Sequence, residues 1–158
     1  MPSFDSARFR QVLGHFPTGV TVITADPGNH PVGLTIGSFT SISLDPPLVG
    51  FLPGKSSNRW PDIERSGAFC VNVLAREDEE LCWRFAREAD ERFADLAWEP
   101  APTGSPRLHS ALAWIDCDIE QVIDAGDHWF VVGRVRELDA RDGSPLLFFR
   151  GKVGGFEA

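Results

Sequence analysis

A chain of 158 residues with a formal net charge of −8, 42% hydrophobic and 24% charged, has the length of one ordinary domain and a globular composition. The excess of 23 acidic over 15 basic side chains argues against a general binder of nucleic acid or anionic membrane, which needs a positive field. No apolar run approaches the roughly 20 residues that span a bilayer. The start Met1-Pro2-Ser3-Phe4-Asp5 has no basic segment leading into an apolar core. Cys70, Cys82 and Cys117 are odd in number and spaced unlike a zinc site, so free thiols in the cytoplasm are expected.

Phe9, Val12, Leu13 and Phe16 recur at helical spacing, and Pro17 closes that helix. Strands follow at 20–24, 32–36 and 39–44, with a turn at Asp26-Pro27-Gly28-Asn29 and a bend at Gly37. Asp45-Pro46-Pro47 makes a corner before a short strand at 48–52. A polar loop at 53–58 leads into a short helix at 59–65 closed by Gly67, and then into a strand at 69–74. The helix predicted from Glu77 to about Ala89 carries Leu81, Cys82 and Phe85 on one side and acids in its first turn. Residues 100–106 read as loop. Ile115, Cys117 and Ile119 alternate with Asp116, Asp118 and Glu120, predicting a half-buried strand with the acids outward. Ala125-Gly126-Asp127-His128 turns the chain into a partner strand at 129–138, and a last strand spans 146–149. With 15 glycines and 12 prolines, about seven or eight strands, mostly antiparallel, and marginal helices predict a mainly β fold closed or partly closed as a barrel.

The chemistry is conspicuous by what is missing. There is no nucleophile elbow, zinc-protease helix, P-loop or dinucleotide fingerprint, and His15, His30, His109 and His128 show no metal-binding spacing. An enzyme built this way would draw its reactivity from an organic cofactor. The segment 35–43 is rich in hydroxyls, which could hold a polar ring edge or simply face solvent along a strand. Lys55-Ser56-Ser57-Asn58-Arg59 could cradle an anion at a helix start or merely cap it. His128 could meet a ligand or be an exposed turn residue.

Taken together, Phe16-Pro17-Thr18-Gly19-Val20, Gly33-Leu34-Thr35 through Ser38-Phe39, Ser41 to Leu44-Asp45-Pro46-Pro47-Leu48, Gly126-Asp127-His128 and Pro145-Leu146-Leu147 resemble the short flavin reductases that serve two-component monooxygenases. The resemblance runs from Phe9 to Phe156. It implies an FMN-binding split β-barrel, a homodimer, and hydride transfer from NADH or NADPH to FMN or FAD, with reduced flavin passed to a partner flavin-dependent oxygenase. By this likeness Thr18, Thr35, Gly37, Ser38 and Ser41 line the flavin ring and ribityl chain. Lys55, Ser56 and Ser57 receive its phosphate, Arg92 and Phe93 approach it, and His128 serves the nicotinamide. Residues 1–158 then form a single flavin reductase-like domain, without nucleic-acid or membrane partners. Relatives often carry Tyr where this chain has Val153. The alternative is a non-catalytic flavin-binding electron carrier on the same barrel.

Overall fold

β-Branched and aromatic runs, punctuated by proline and glycine, set the strands. The structure, a computed structural model, describes residues 2–87 and 92–157. In chain order the first strands are β1 (Thr18–Gly19), β2 (Thr21–Ala25), β3 (Val32–Ile36), β4 (Thr40–Ser43), β5 (Leu48–Phe51) and β6 (Ala68–Val73). They are followed by β7 (Trp98–Pro100), β8 (Pro106–Leu108), β9 (Ala113–Ala125), β10 (His128–Ala140), β11 (Leu147–Phe149) and β12 (Lys152–Gly154). Seven strands make one antiparallel sheet in the order β3-β2-β6-β9-β10-β5-β4, and a smaller sheet runs β1-β11-β12. The fold is mainly β and antiparallel, as expected, but with more strands. The extra ones are two or three residues long, below the reach of a period-two signal. Part of the predicted 100–106 loop belongs to the β7–β8 hairpin, whose Pro100 and Pro106 pair next to its turn.

Three helices sit at the margins. α1 (Ser6–Leu13) is capped by Asp5, whose side chain accepts from the Arg8 N–H at 2.9 Å. It ends at Gly14 rather than running on to Phe16. α2 (Trp60–Ser66) starts with proline in its first turn and stops at Gly67, whose φ of +77° suits glycine. The predicted 77–89 helix divides into a 3₁₀ turn, Arg76–Asp78, and α3 (Glu79–Ala86), with Leu81, Cys82 and Phe85 buried. Its expected end at Ala89 lies outside the described residues.

α2 shows that the large sheet is curled. Seven helical residues are about 10 Å long. Yet α2 packs against β2, β3 and β6, while its Trp60 meets Phe51 of β5 with ring centroids 6.0 Å apart. In a flat sheet β3 and β5 would stand five strand spacings apart, about 24 Å. The concave side holds Ile23, Phe51, Ile63, Phe69, Val71 and Val131. The other side of β2 and β6 is covered by Val22, Leu74, Leu81, Phe85, Leu108 and Leu146.

One further expectation changes. Asp116 does not face solvent: it is buried, because the turn between β7 and β8 folds over that face of β9. Thr103 meets it there, with the backbone N–H donating to Oδ2 at 2.9 Å and the hydroxyl to Oδ1 at 2.6 Å. Phe9, Val12 and Leu13 of α1 are about half exposed, so the apolar face of that helix covers none of this chain's core.

Burial raises the Asp116 carboxyl above the usual range, against the hydrogen bonds from Thr103. A carboxyl raised on folding favours the fold in its protonated form, and that contribution is lost as pH climbs through the folded pKa. Asp116→Asn has no such titration. Urea denaturation from about pH 4 to about pH 7 is expected to show the variant gaining on the wild type as pH rises; a constant gap would refute this account.

Candidate functional site

The residues around Pro17 and Gly37 are brought together by strand pairing. β1 lies on β11, with Thr18 opposite Phe148. The link from β3 to β4 passes beside it as Gly37-Ser38-Phe39. Between them is a cleft of about 460 Å³ lined by Phe16, Thr18, Gly37, Ser38, Phe39 and Thr40, among others. That volume falls within the roughly 300–1,000 Å³ of small-molecule sites.

At its wall the Thr18 hydroxyl is buried with no hydrogen-bond partner. Such an orphan costs about 1–3 kcal/mol. A Cβ on Gly37 would stand 3.3 Å from that oxygen, so the absence of a side chain at Gly37 keeps the wall close without filling the cleft. An unsatisfied hydroxyl at the edge of a mostly apolar cleft fits the polar rim of a planar heterocycle such as the flavin ring.

Ser38 carries the site onward. Its Oγ accepts from the Leu52 N–H at 3.0 Å and lies 3.4 Å from the Leu52 carbonyl. Two residues later Gly54 bridges to His128, the Trp129 N–H donates to the Pro53 carbonyl at 3.0 Å, and the Lys55 N–H donates to the Asp127 carbonyl at 2.9 Å. Backbone bonds therefore connect the cleft to a second cluster, in which the Lys55-Ser56 loop lies against the β9–β10 turn. Gly126 makes that turn with φ +69°.

In this second cluster Lys55 Nζ sits 2.6 Å from Asp124 Oδ1 and 4.5 Å from the Trp129 ring centroid. His128 Nδ1 lies 2.7 Å from Asp127 Oδ1, and the hydrogen bond with His128 draws the Asp127 carboxyl below its ordinary range. Ser56 is exposed, its Oγ and His128 Nε2 each 3.9 Å from where a Cβ on Gly54 would stand.

Other expected site residues are engaged elsewhere. The Thr35 hydroxyl donates to the Cys82 carbonyl at 2.7 Å and fastens β3 to α3. Ser57 Oγ accepts from the Arg59 and Trp60 N–H groups at 3.2 and 3.3 Å and ties the loop to the start of α2. Arg92 is buried, donating to the Gly33 carbonyl at 3.0 Å. Phe93 packs edge-on against Phe85 at 5.1 Å. Ser41 is exposed on β4. None of Thr35, Ser41, Arg92 and Phe93 lines the cleft.

Sequence reading missed Asp124 and Trp129. The two-residue Gly126-Asp127 turn implies that they oppose one another, as they do, but nothing local announces that Lys55 lies on that pair. The three cysteines are free and buried. Burial, with Asp116 adding to it, pushes Cys117 up to about 12, and Cys70 is raised for the same reasons, so neither is a nucleophile near neutral pH.

Thr18→Val keeps the shape and removes the orphan hydroxyl. Stability in urea is expected to be unchanged or higher by up to about 1 kcal/mol; a loss of that size would mean that the hydroxyl serves the fold.

The comparisons with known proteins now bear on this geometry. The Flavin reductase like domain matches residues 13–157. A protein named flavin reductase from Pseudomonas putida is 50% identical, covering 99% of this chain and 93% of its own. The reductase subunit HsaB of a flavin-dependent monooxygenase from Rhodococcus jostii is 51% identical, over 98% of this chain and 80% of its own. Among solved structures, nitrilotriacetate monooxygenase component B from Mycobacterium thermoresistibile superposes with a TM-score of 0.94. It is 46% identical and covers 97% of this chain and 87% of that one. A match over nearly the whole chain, with a superposing fold and about half the residues shared, makes this chain a member of the flavin reductase like domain family.

Proposed function

We propose that the protein is an NAD(P)H:flavin oxidoreductase, moving a hydride from NADH or NADPH to FMN or FAD and supplying reduced flavin to a flavin-dependent oxygenase. The observation that carries this reading is the two-part site. An orphan hydroxyl at an apolar cleft is joined by Ser38, Leu52 and Gly54 to the loop bearing Lys55 and Ser56, with His128 of β10 bridged to Gly54. The family match and the relative named as a monooxygenase reductase subunit support it.

A bound flavin supplies the hydride-accepting chemistry, which explains a site without a strong acid–base pair. The protein's part is to hold and orient. Thr18 gives its unused hydroxyl to the polar edge of the ring, and Gly37 keeps that wall open. Lys55 and Ser56 take the phosphate. His128, braced at Nδ1 by Asp127, positions the nicotinamide through its other nitrogen. Thr35, Ser57 and Arg92 act from behind, holding β3, α2 and the segment after α3 in place.

The curled sheet is read as a split barrel, and residues 1–158 as one unit. The half-exposed face of α1, with Phe9, Val12 and Leu13, is the surface on which a second copy docks to form a homodimer. Among the described residues no helix is long and apolar enough to cross a membrane. Free buried thiols suit the cytoplasm.

The test is the loss of NADH absorbance by purified protein with and without FMN, repeated with FAD and NADPH. Flavin-dependent oxidation is expected. Flavin binding with no turnover would replace the proposal with the electron-carrier reading. His128→Ala is expected to raise KM for the nicotinamide nucleotide several-fold while flavin Kd stays unchanged; an equal loss of both would remove the positioning role.

A further inference from the structure

Lys55 is the cation that the proposed function assigns to phosphate, and in the structure it already has an anion. Its Nζ is 2.6 Å from Asp124 Oδ1, with the Lys55 side chain 32% exposed and that of Asp124 72% exposed. The Trp129 ring lies beneath the ammonium at 4.5 Å. Trp129 and Asp124 are cross-strand partners on β10 and β9, so the hairpin presents a ring and a carboxylate side by side to one lysine. Asp127, on the adjoining turn, is a second acid and is fastened to the loop through its backbone carbonyl. The carboxylate of Asp127 pairs with His128, so Asp124 is the acid in contact with the Lys55 ammonium.

A phosphate that reaches Lys55 meets Asp124 on the same ammonium, where the two anions compete for its donors and repel one another. The exchange is small in reach, because both anions meet the one ammonium, which already sits over the Trp129 ring. It is also cheap, because exposed ion pairs are weak.

We propose that Asp124 is the resident counter-ion of Lys55 and sets the affinity for phosphorylated flavin, competing with the phosphate for the same ammonium. Because the carboxylate acts on the phosphate end alone, it loosens FMN without loosening the ring. That suits a site whose product must leave. The inference rests on the reading that Lys55 receives the flavin phosphate.

The experiment compares Kd for FMN and for riboflavin, which has the ring and no phosphate, by fluorescence quenching in the wild type, Asp124→Asn, Lys55→Met and the double variant. Asp124→Asn is expected to tighten FMN about two- to five-fold, the scale of one exposed ion pair, with riboflavin unchanged. In the Lys55→Met background the same substitution is expected to do little. Riboflavin affinity also checks that each variant is folded.

No tightening of FMN in Asp124→Asn, while Lys55→Met weakens FMN, would overturn the competition and leave the phosphate role of Lys55 standing. Equal tightening with and without Lys55 would also overturn it, since the effect would then be general repulsion. If Lys55→Met leaves the ratio of FMN to riboflavin affinity unchanged, the phosphate reading fails and the competition falls with it.

Discussion

The constraint on which this molecule turns is that β2 and β6 are covered on both faces. Every residue of β2 is buried, with Ile23 in one core and Val22 in the other. A strand in that position has no water for its polar groups, so each must be satisfied by protein. Asn72 on β6, fully buried, does much of this. Its amide donates to the Val22 carbonyl at 3.1 Å and to Thr24 Oγ1 at 3.0 Å, and its oxygen accepts from the Leu108 N–H at 2.8 Å. Those bonds fasten the β7–β8 hairpin to the sheet and close the second core. Asp116 and Thr103 repeat the device one strand over.

The groups proposed to hold the ligands gather where this double cover ends. β1 and the Gly37-Ser38-Phe39 link lie beyond the ends of β2 and β3, and the Lys55 loop lies beyond β5. Gly37 and Ser56 are exposed there, while the strands behind them are covered on both faces. The one unmet polar atom beside the cleft, Thr18 Oγ1, contrasts with Thr21 and Thr24, whose hydroxyls reach the Ile36 and Cys70 carbonyls. Thr18 thus keeps hydrogen-bonding capacity that its neighbours have spent, which is what the proposed contact with the flavin ring would use.

Much of the architecture was legible because its signals are local. The 32–36 strand, the helix closed at Gly67 and the hairpin turned at Gly126 follow from β-branched runs, a left-handed glycine and a Gly-Asp turn. The two-residue strand β1 and the short β12 exist only through pairing with β11, so no period could announce them. The periodicity of α1 identified which face is apolar but not what covers it. Alternation placed Asp116 outward because a distant hairpin, not the strand itself, buries it. The site divides along the same line. Thr18, Gly37 and Ser38, and separately Lys55, Ser56 and His128, do come together. The commitments of Thr35 to Cys82 and of Lys55 to Asp124 are long-range contacts that no spacing encodes.

The same division bears on how a chain of net charge −8 would hold the phosphorylated ligand proposed for it. Long-range attraction is unavailable, so the hold must come from short-range groups: a lysine, a hydroxyl and backbone amides. At physiological ionic strength charges beyond about 8 Å are largely screened, which makes the local arrangement at Lys55 count for more than the total. There the nearest acid is on the lysine itself. A site with one offset cation, an apolar cleft and a single unmet hydroxyl derives its grip chiefly from the ring and only marginally from the charge. On the proposed reading, such a balance would favour a flavin that is exchanged over one that is kept, and would tie the modest electrostatics of this loop to the release of a reduced product.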